Sequence, residues 1–511
     1  MIDLDVSLIN SVYLRVVCER GIARELSDFF TFKVPGYQYM PAYRSKMWDG
    51  EIRLYNIHTQ EIYAGLIYYI EKFALDRNYS LALPIRSEFK ADTKKVRAFV
   101  EDFLDVHSRD KKLILHEHQA EAIHHALEQE RCLLLSPTAS GKSLIVYSLV
   151  RFYLDKIPKN KKILIVVPTV SLVEQMVSDF ADYSSTNEWN AGANCHKILG
   201  GAEKITAKRV VVSTWQSIFR QNEKYFEQFS AVIGDEAHLF KSKSLCAIMT
   251  KLKTCPYRIG TTGTLDGTTT HKLVLEGLFG RAYEVAKTKE LMDKKILSPL
   301  KIDCLVLDYP TEIREMAKRA KYPDEMKWIV GSKERNQFIV DLCKSLKGNT
   351  LVLFQFVEGH GKILNTLMES CVPSTRKVFF VYGDTEAKER ERIRAIVETE
   401  SDAIIIASYG VFSTGISVKR LHNIIFASPS KSRIRVLQSI GRQLRVAENK
   451  IVARLYDIGD DLSWKSWINH TYRHMKERMR LYDSEGFNYR LVRIKIGEPN
   501  GTKKEIKHTS I

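Results

Sequence analysis

The 511-residue sequence lacks several common devices. Its eight cysteines, Cys18, Cys132, Cys195, Cys246, Cys255, Cys304, Cys343 and Cys371, never fall as CxxC, which removes the spacing of a zinc ribbon. Scattered through a long chain, they read as reduced core residues of a reducing compartment. Long hydrophobic runs are also missing. The most apolar stretch, ILIVVPTVSLV from Ile163, is too short and too broken to span a bilayer. The N-terminal MIDLDVSLIN has neither the basic start nor the apolar centre of a signal peptide. A cytoplasmic protein with no membrane partner is expected. There is no internal repeat and no low-complexity tract.

Negative charge is in deficit. Lys and Arg number 78 against 61 Asp and Glu, a net charge of +17, while 44% of residues are apolar and 27% charged. That composition belongs to a soluble globular chain with a real core, and the length suggests about three domains of roughly 150 residues. The positive excess suits a polyanionic partner, since Lys and Arg displace counterions from a phosphate backbone; a basic surface that only aids solubility is the plain alternative. Residues 431–511 hold 18 Lys and Arg and 9 Asp and Glu, so 18 − 9 = +9, about half the excess in the last sixth of the chain.

Short β-branched runs, each followed by a helical pattern, come in two series. The first is CLLLS (132–136), ILIVV (163–167), VVVS (210–213), AVIGD (231–235) and YRIGT (257–261). The second is DCLVLD (303–308), LVLFQF (351–356), VFFVY (378–382), AIIIAS (403–408), NIIFAS (423–428) and VARLYD (452–457). Continuous apolar strands alternating with helices predict parallel sheets covered on both faces, hence two α/β lobes. The expected division is a small N-terminal α/β nucleic-acid-binding domain over 1–90 and a charged, partly helical linker over 91–112. An ATP-binding first lobe then spans 113–290, a second lobe 291–460, and a helical basic extension 461–511.

The strand CLLLS runs into Pro137-Thr138-Ala139-Ser140-Gly141-Lys142-Ser143, and LIVYSLVRFYL then reads as a helix. Backbone N–H groups at such a helix start cradle phosphate. Lys142 is placed to reach the β- and γ-phosphates of ATP, and Ser143 to set its hydroxyl on Mg²⁺. Ser136 stands where the usual signature has its first Gly, so the context carries the assignment as much as the pattern does. Asp235-Glu236-Ala237-His238 follows the strand AVIG. Adjacent acids at the C-terminal end of an apolar strand are costly to bury unless they bind something, and that end of a parallel sheet is where ligands sit. Asp235 is expected to hold Mg²⁺ and Glu236 to orient or deprotonate the attacking water. An acidic surface turn with a helix cap is the plain alternative.

In the second lobe, Gln438-Ser439-Ile440-Gly441-Arg442-Gln443-Leu444-Arg445 puts Arg442 and Arg445 three apart on one helical face, with Gln438 a turn earlier. Guanidinium groups supplied to a γ-phosphate can be worth roughly 10³–10⁵ in rate. With Lys142 and Glu236 on one lobe and these arginines on the other, ATP would draw the lobes together and hydrolysis would release them. The alternative is a helix whose cations meet only solvent.

These blocks together resemble the superfamily 2 helicases over roughly residues 113–460. In that resemblance Gln119, within HEHQAEAI, stands for an adenine-reading glutamine, and Gly415 belongs with the ATP contacts. Thr169, after Val167-Pro168 and before Gln175, and Thr214 with Gln216 stand for backbone-gripping motifs. Thr262 and Thr264, flanking Gly263, and His238 of the DEAH box stand for the coupling elements. Phe354 and Thr414 stand for nucleic-acid contacts in the second lobe. Two RecA-like ATPase lobes are implied. ASYGVFSTGISVK (407–419), the unusual QSIGRQLR and GYQYMPAYRSKMWDGEIRLYN (36–56) are similar to the UvsW family of T-even-like bacteriophage helicases. This implies a monomeric DNA helicase of 3′-to-5′ polarity in the host cytoplasm, serving recombination, repair and replication. Its implied partners are single-stranded, double-stranded and branched DNA and RNA–DNA hybrid. Its implied acts are unwinding R-loops, migrating Holliday junctions, regressing forks and annealing strands.

Two accessory stretches stand outside those blocks. Residues 37–55 interleave Tyr37, Tyr39, Tyr43, Arg44, Lys46, Trp48, Arg53 and Tyr55. Aromatic faces stack on unpaired bases while cations follow phosphates, so Arg44, Lys46 and Trp48 are candidate nucleic-acid contacts; a small domain using the same aromatics as core is the equal alternative. From Trp464 to Tyr482 apolar residues recur with helical period at Trp467 or Ile468, Thr471 or Tyr472, Met475 and Met479. Lys465, Arg473, Lys476 and Arg480 lie on the other face, read as a solvated face or a duplex-tracking one. GTKKEIKHTSI reads as a frayed basic tail. Rival functions are an RNA helicase, a double-strand translocase that does not separate strands, and a binding module with a dead ATP site. The absence of a nuclease or methyltransferase block argues against the second, and intact Lys142, Asp235, Glu236, Arg442 and Arg445 against the third.

Overall fold

The computed structural model describes residues 2–84, 92–108, 111–414, 418, 420–430, 432–444, 452–496 and 504–505. The chain forms two compact units, residues 1–137 with 141–286, and residues 287–511 with 138–140.

The first unit is built on a seven-stranded parallel sheet. Its order is Cys195–Ile198, Val210–Thr214, Lys162–Val167, Phe229–Asp235, Tyr257–Thr262, Arg131–Leu135 and Ala282–Glu284. The β-branched runs become strands because both faces are covered: Ile163, Leu164, Ile165, Val166 and Val167 are all essentially inaccessible. The two edge strands Cys195–Ile198 and Ala282–Glu284 have no long apolar run, and periodicity alone gave no sign of them. The segment expected as a linker is packed down. A helix Thr93–Arg97, capped by Asp92, continues through a π-helical turn Ala98–Phe103, and Val96, Val100, Leu104 and Val106 are buried in the lobe core. Its charged exterior hid an apolar stripe at spacings of four.

The N-terminal domain is a mixed five-stranded sheet, ordered Tyr55–Asn56, Glu61–Tyr63, Tyr13–Cys18, Leu4–Leu8 and Leu81–Ala82, with helices Arg20–Phe29 and Ile67–Asp76. It shares one continuous core with the lobe, running from Leu4 and Phe73 to Leu275 and Phe279. Backbone meets backbone at this junction. A Cβ on Gly65 would lie 2.0 Å from the Glu276 carbonyl oxygen, and one on Gly277 would lie 2.9 Å from Tyr63. Nearby, the Tyr69 hydroxyl donates to the buried Glu276 carboxylate at 2.6 Å.

The second unit carries an eight-stranded sheet. Its order is Val378–Val381, Ile404–Ser408, Thr350–Phe354, Asn423–Phe426, Ala453–Asp461, Leu300–Asp308, Tyr489–Lys495 and Lys504–Glu505, parallel except for the last pair. The C-terminal extension is helical over His470–Ser484, and beyond the helix it adds the strand Tyr489–Lys495 beside Leu300–Asp308. That strand's Arg490 and Arg493 reach Asp303, Asp308 and Asp461, and ion pairing of that kind is invisible to a hydrophobicity pattern. The helix begins later than the sequence period suggests, because Trp464 and Trp467 form an isolated bridge and the Glu325 carboxylate accepts from the His470 and Thr471 amides. Its inward face holds Thr471, Met475, Arg478 and Tyr482, so an arginine takes a place expected for Met479. Arg478 donates to both oxygens of Asp457 and to the Ser430 carbonyl, and Asp457 also accepts from the Tyr482 hydroxyl. A second buried pair, Arg335 with Asp460 at 2.7 Å, is completed by the Tyr309 hydroxyl.

Candidate nucleotide site and nucleic-acid surfaces

In the first unit the sequence motifs converge at the C-terminal ends of three neighbouring strands. Phe229–Asp235, Tyr257–Thr262 and Arg131–Leu135 lie side by side, with Asp235 opposite Thr261 and Leu135 opposite Thr262. The phosphate loop leaves the last of these, and the Ser136 amide is held on the Thr262 carbonyl at 2.8 Å. Ala139 has a positive φ of 69°, Ser140 is buried, and Pro137 and Thr138 complete the turn. Gly141, at φ +89°, precedes the helix Lys142–Lys156. No side chain fits there: a Cβ would lie 2.1 Å from the Gln119 amide nitrogen. Gln119 is itself buried and accepts from the His116 amide at 3.0 Å as part of a capping box. The glutamine expected to read adenine thus packs on the loop expected to hold phosphate.

The charged groups form a chain. The Lys142 ammonium is 4.0 Å from the Glu236 carboxylate, Glu236 is 3.4 Å from the His238 ring, and His238 Nδ1 is 3.0 Å from the Thr262 hydroxyl. The Thr262 hydroxyl donates to the Thr264 carbonyl at 3.3 Å. Glu236 holds a left-handed backbone at φ 49°, a strained setting for a residue with a side chain. Asp235 accepts from the Thr261 hydroxyl at 2.8 Å. Burial drives its carboxyl above the ordinary value; Lys142 pulls it back and Glu236 pushes it further up. Thr261 was not legible as a partner, since only the strand register brings it to Asp235.

Among the described residues no cluster of three or more His, Cys, Asp or Glu could hold a metal ion alone. The donor set here is one hydroxyl, Ser143, and one half-buried carboxylate, Asp235. That fits Mg²⁺, which keeps several waters and takes its remaining oxygens from substrate phosphates. The Ser143 hydroxyl lies 3.0 Å from the Tyr183 hydroxyl, a neighbour forty residues away that no motif announced.

The backbone-gripping motifs take up cap positions. Thr169 caps the helix Val170–Tyr183 by accepting from Leu172, the buried Thr214 hydroxyl meets Ser217 at 2.9 Å, and Gln216 is exposed one residue beyond Trp215.

In the second unit Gln438 and Arg442 lie on the helix Arg433–Gln443, capped by Ser432. The Arg442 guanidinium lies over the Phe412 ring at 5.8 Å, and Gln443 anchors the helix end by donating to the His422 and Arg454 carbonyls. Arg445 and Gly415 fall outside the described residues, and of Thr414 only its place at the end of the helix Tyr409–Thr414 is described. Phe354 is a correction. It was expected to contact nucleic acid, but it is fully buried and stacks on Phe380 at 5.6 Å. As the last residue of its strand it points into the core, and Phe356, two residues on, is 40% exposed.

The aromatic–cationic stretch forms an arm. Strands Thr31–Lys33 and Glu51–Arg53 pair antiparallel, and between the buried Val34 and Gly50 no residue is buried. The alternative in which these aromatics are core is therefore excluded for Tyr37, Tyr39, Tyr43 and Trp48, while Tyr55, beyond the arm, is a core residue at 1% exposure. A cleft of about 720 Å³ is lined by Tyr43, Arg44, Lys46, Met47, Trp48 and Arg53, together with Gln38 and the acid Asp49, which pairs with Arg53 at 2.6 Å. Trp48 is fixed by its indole N–H donating to the Glu51 carbonyl at 2.8 Å.

Sequence profiles of known families cover most of these parts. The DNA helicase UvsW N-terminal profile matches residues 3–84, that of the type III restriction enzyme res subunit 112–267, and the helicase conserved C-terminal domain 334–447. The ATP-dependent DNA helicase uvsW of Enterobacteria phage T4 is 34% identical over 97% of this chain and all of its own length. This chain belongs to the UvsW helicase family. The crystal structure of T4 UvsW superposes with a TM-score of 0.51 at 32% identity, over 97% of this chain and the whole of that one. UvsW-type helicases thus supply the frame in which the site is read. A type ISP restriction-modification enzyme, LlaBIII bound to DNA, shares the fold at 16% identity over 83% of this chain, with a TM-score of 0.53. Among the described residues no helix is long and apolar enough to cross a membrane.

Proposed function

We infer that this UvsW-family protein is an ATP-dependent DNA helicase that acts on branched DNA, with ATP hydrolysed at the phosphate loop between Leu135 and Lys142. The observation that carries the reading is the unbroken chain Lys142–Glu236–His238–Thr262, beside Asp235, at the ends of three adjacent strands. Lys142 and the loop N–H groups from Thr138 to Ser143, beyond Pro137, hold the phosphates, and Gln119 stands by for the base. Ser143 and Asp235 would hold Mg²⁺, which would supply positive charge to the phosphates. Glu236 orients the attacking water and takes its proton at a carboxylate oxygen. His238 and Thr262 pass the state of Glu236 to the loop at Thr264. To Gln438, Arg442 and Arg445 we assign, on their motif alone, the role of countering charge on the departing phosphate.

Thr169, Thr214, Gln216 and Thr414 follow the DNA backbone with 3′-to-5′ polarity, while Arg44, Lys46 and Trp48 offer the branch a charged aromatic cleft. The host cytoplasm is the proposed place of work, a reading supported by the kinship to a phage helicase. ATPase and strand-displacement rates measured on single strand, duplex, R-loop, four-way junction and RNA test this. Strong stimulation by branched DNA and weak stimulation by RNA is the expected pattern, and equal stimulation by RNA refutes it. A second reading, translocation on duplex without strand separation, draws on the res-subunit match over 112–267. Displacement of a third strand from a triplex without any unwinding would favour it.

A further inference from the structure

The Ser143 hydroxyl has a fixed neighbour. The Tyr183 phenol oxygen lies 3.0 Å from it, and Tyr183 is the last residue of the helix that Thr169 caps. That helix has 14 residues, about 20 Å of rigid rod at 1.5 Å per residue. Its far end is held firmly. Asp182 accepts from the Ser108 hydroxyl at 2.6 Å, Phe180 is buried against Tyr147 at 5.4 Å, and the Tyr183 ring lies 5.5 Å from Tyr147. The phenol therefore does not swing freely.

A serine hydroxyl carries one proton and two acceptor lone pairs. To offer a lone pair to a cation it must send its proton elsewhere, and the Tyr183 oxygen is within reach. If the phenol donated instead, it would occupy one of the lone pairs and weaken the site. Partners behind a metal ligand set its orientation and are felt in metal affinity.

We propose that Tyr183 is a positioning residue for Ser143: its phenol oxygen accepts the Ser143 proton and turns the serine lone pairs toward the Mg²⁺ of the bound nucleotide. Tyr183 and Thr169 end the same helix, so a shift imposed by DNA at the Thr169 end is delivered to Ser143. The proposal rests on the phosphate-loop reading above.

The test uses the full-length Tyr183→Phe protein, which keeps the ring and its packing. Binding of fluorescent ADP is followed in EDTA and through a MgCl₂ titration, without and with saturating single-stranded DNA. In EDTA, affinity and melting temperature match the parent protein. The Mg²⁺ concentration giving half of the Mg²⁺-dependent gain rises about 2–10-fold, the range of one lost hydrogen bond. The DNA-induced shift in that midpoint, present in the parent, shrinks. Ser143→Ala removes the Mg²⁺-dependent gain, and adding Tyr183→Phe to it changes nothing more. A Tyr183→Phe midpoint equal to the parent's, with Ser143→Ala still defective, overturns the role of Tyr183 alone. A full Mg²⁺-dependent gain in Ser143→Ala overturns the phosphate-loop reading itself.

Discussion

The two α/β units stand on the same kind of parallel sheet but treat buried charge in opposite ways. In the second unit, buried arginines meet carboxylates directly: Arg478 with Asp457 and Arg335 with Asp460, both pairs with almost no exposure and each completed by a tyrosine hydroxyl. In the first unit the fully buried Arg258 meets no carboxylate among the described residues. It donates to the Leu278, Leu252 and Met249 carbonyls, near the ends of two helices. The acids of the first unit's candidate site lie instead at the strand ends, where Lys142 is 4.0 Å from Glu236 and the half-buried Asp235 has its carboxyl pushed up by desolvation. Paired charge holds a lobe together, and charge held at a distance waits for a ligand.

Changes on the two sides of this contrast should fail differently. Lys142→Ala should lower DNA-stimulated ATP turnover by roughly 10²–10³-fold or more, the scale for removing one preorganised donor, while the melting temperature stays near that of the parent; a calorimetric melt beside a phosphate-release assay checks both. Arg478→Ala strands Asp457 without its cation and should cost about 3–5 kcal/mol of stability in urea unfolding. Arg478→Met with Asp457→Leu should recover most of that loss, and a double variant as weak as the single would mean the pair is more than structural.

Asp235→Asn joins the two behaviours. The folded protein holds this carboxyl above 3.8. The group therefore favours the fold only at low pH, and that contribution is lost as pH rises through the raised value. At neutral pH the amide should remove a cost, so the melting temperature rises while turnover collapses. His360 gives the opposite slope. Burial, reinforced by Arg335, pushes its imidazole from 6.5 down to about 3. The unfolded chain takes up a proton in that window and the folded one does not, so stability is full above about 6.5 and falls toward pH 3. His360→Gln should flatten that slope, by up to about 1.4 kcal/mol per pH unit, in denaturant titrations from pH 7 to 4. The smallest effect is expected at the arm. Arg44→Ala with Lys46→Ala should weaken junction binding several-fold and reduce its salt slope by about two, with turnover at saturating DNA unchanged.

Much of this was legible in advance because the decisive signals are local. The runs ILIVV and AIIIAS declare buried parallel strands, and GKS and DEAH each follow a strand end that the sequence itself marks. The UvsW kinship was carried by contiguous stretches for the same reason. Contacts set by register and packing were hidden: Thr261 on Asp235, Tyr183 on Ser143 and Gln119 on Gly141. Phe354 misled because a strand's last residue can face either way, and the family motif does not say which. The helical period places Met479 on the inward face where Arg478 lies, because a cation on an amphipathic helix is ordinarily assigned to solvent, whereas Asp457 lies beneath Arg478.

The Gly65–Glu276 junction bears on how this protein can be cut. Excising residues 1–84 would lay bare Leu275, Leu278 and Phe279, which share a core with Leu4 and Phe73. A shortened chain would present that greasy wall to solvent and tend to clump. The amino-terminal portion cannot be grafted elsewhere or dispensed with as a bolt-on accessory; it behaves as a wall of the same building.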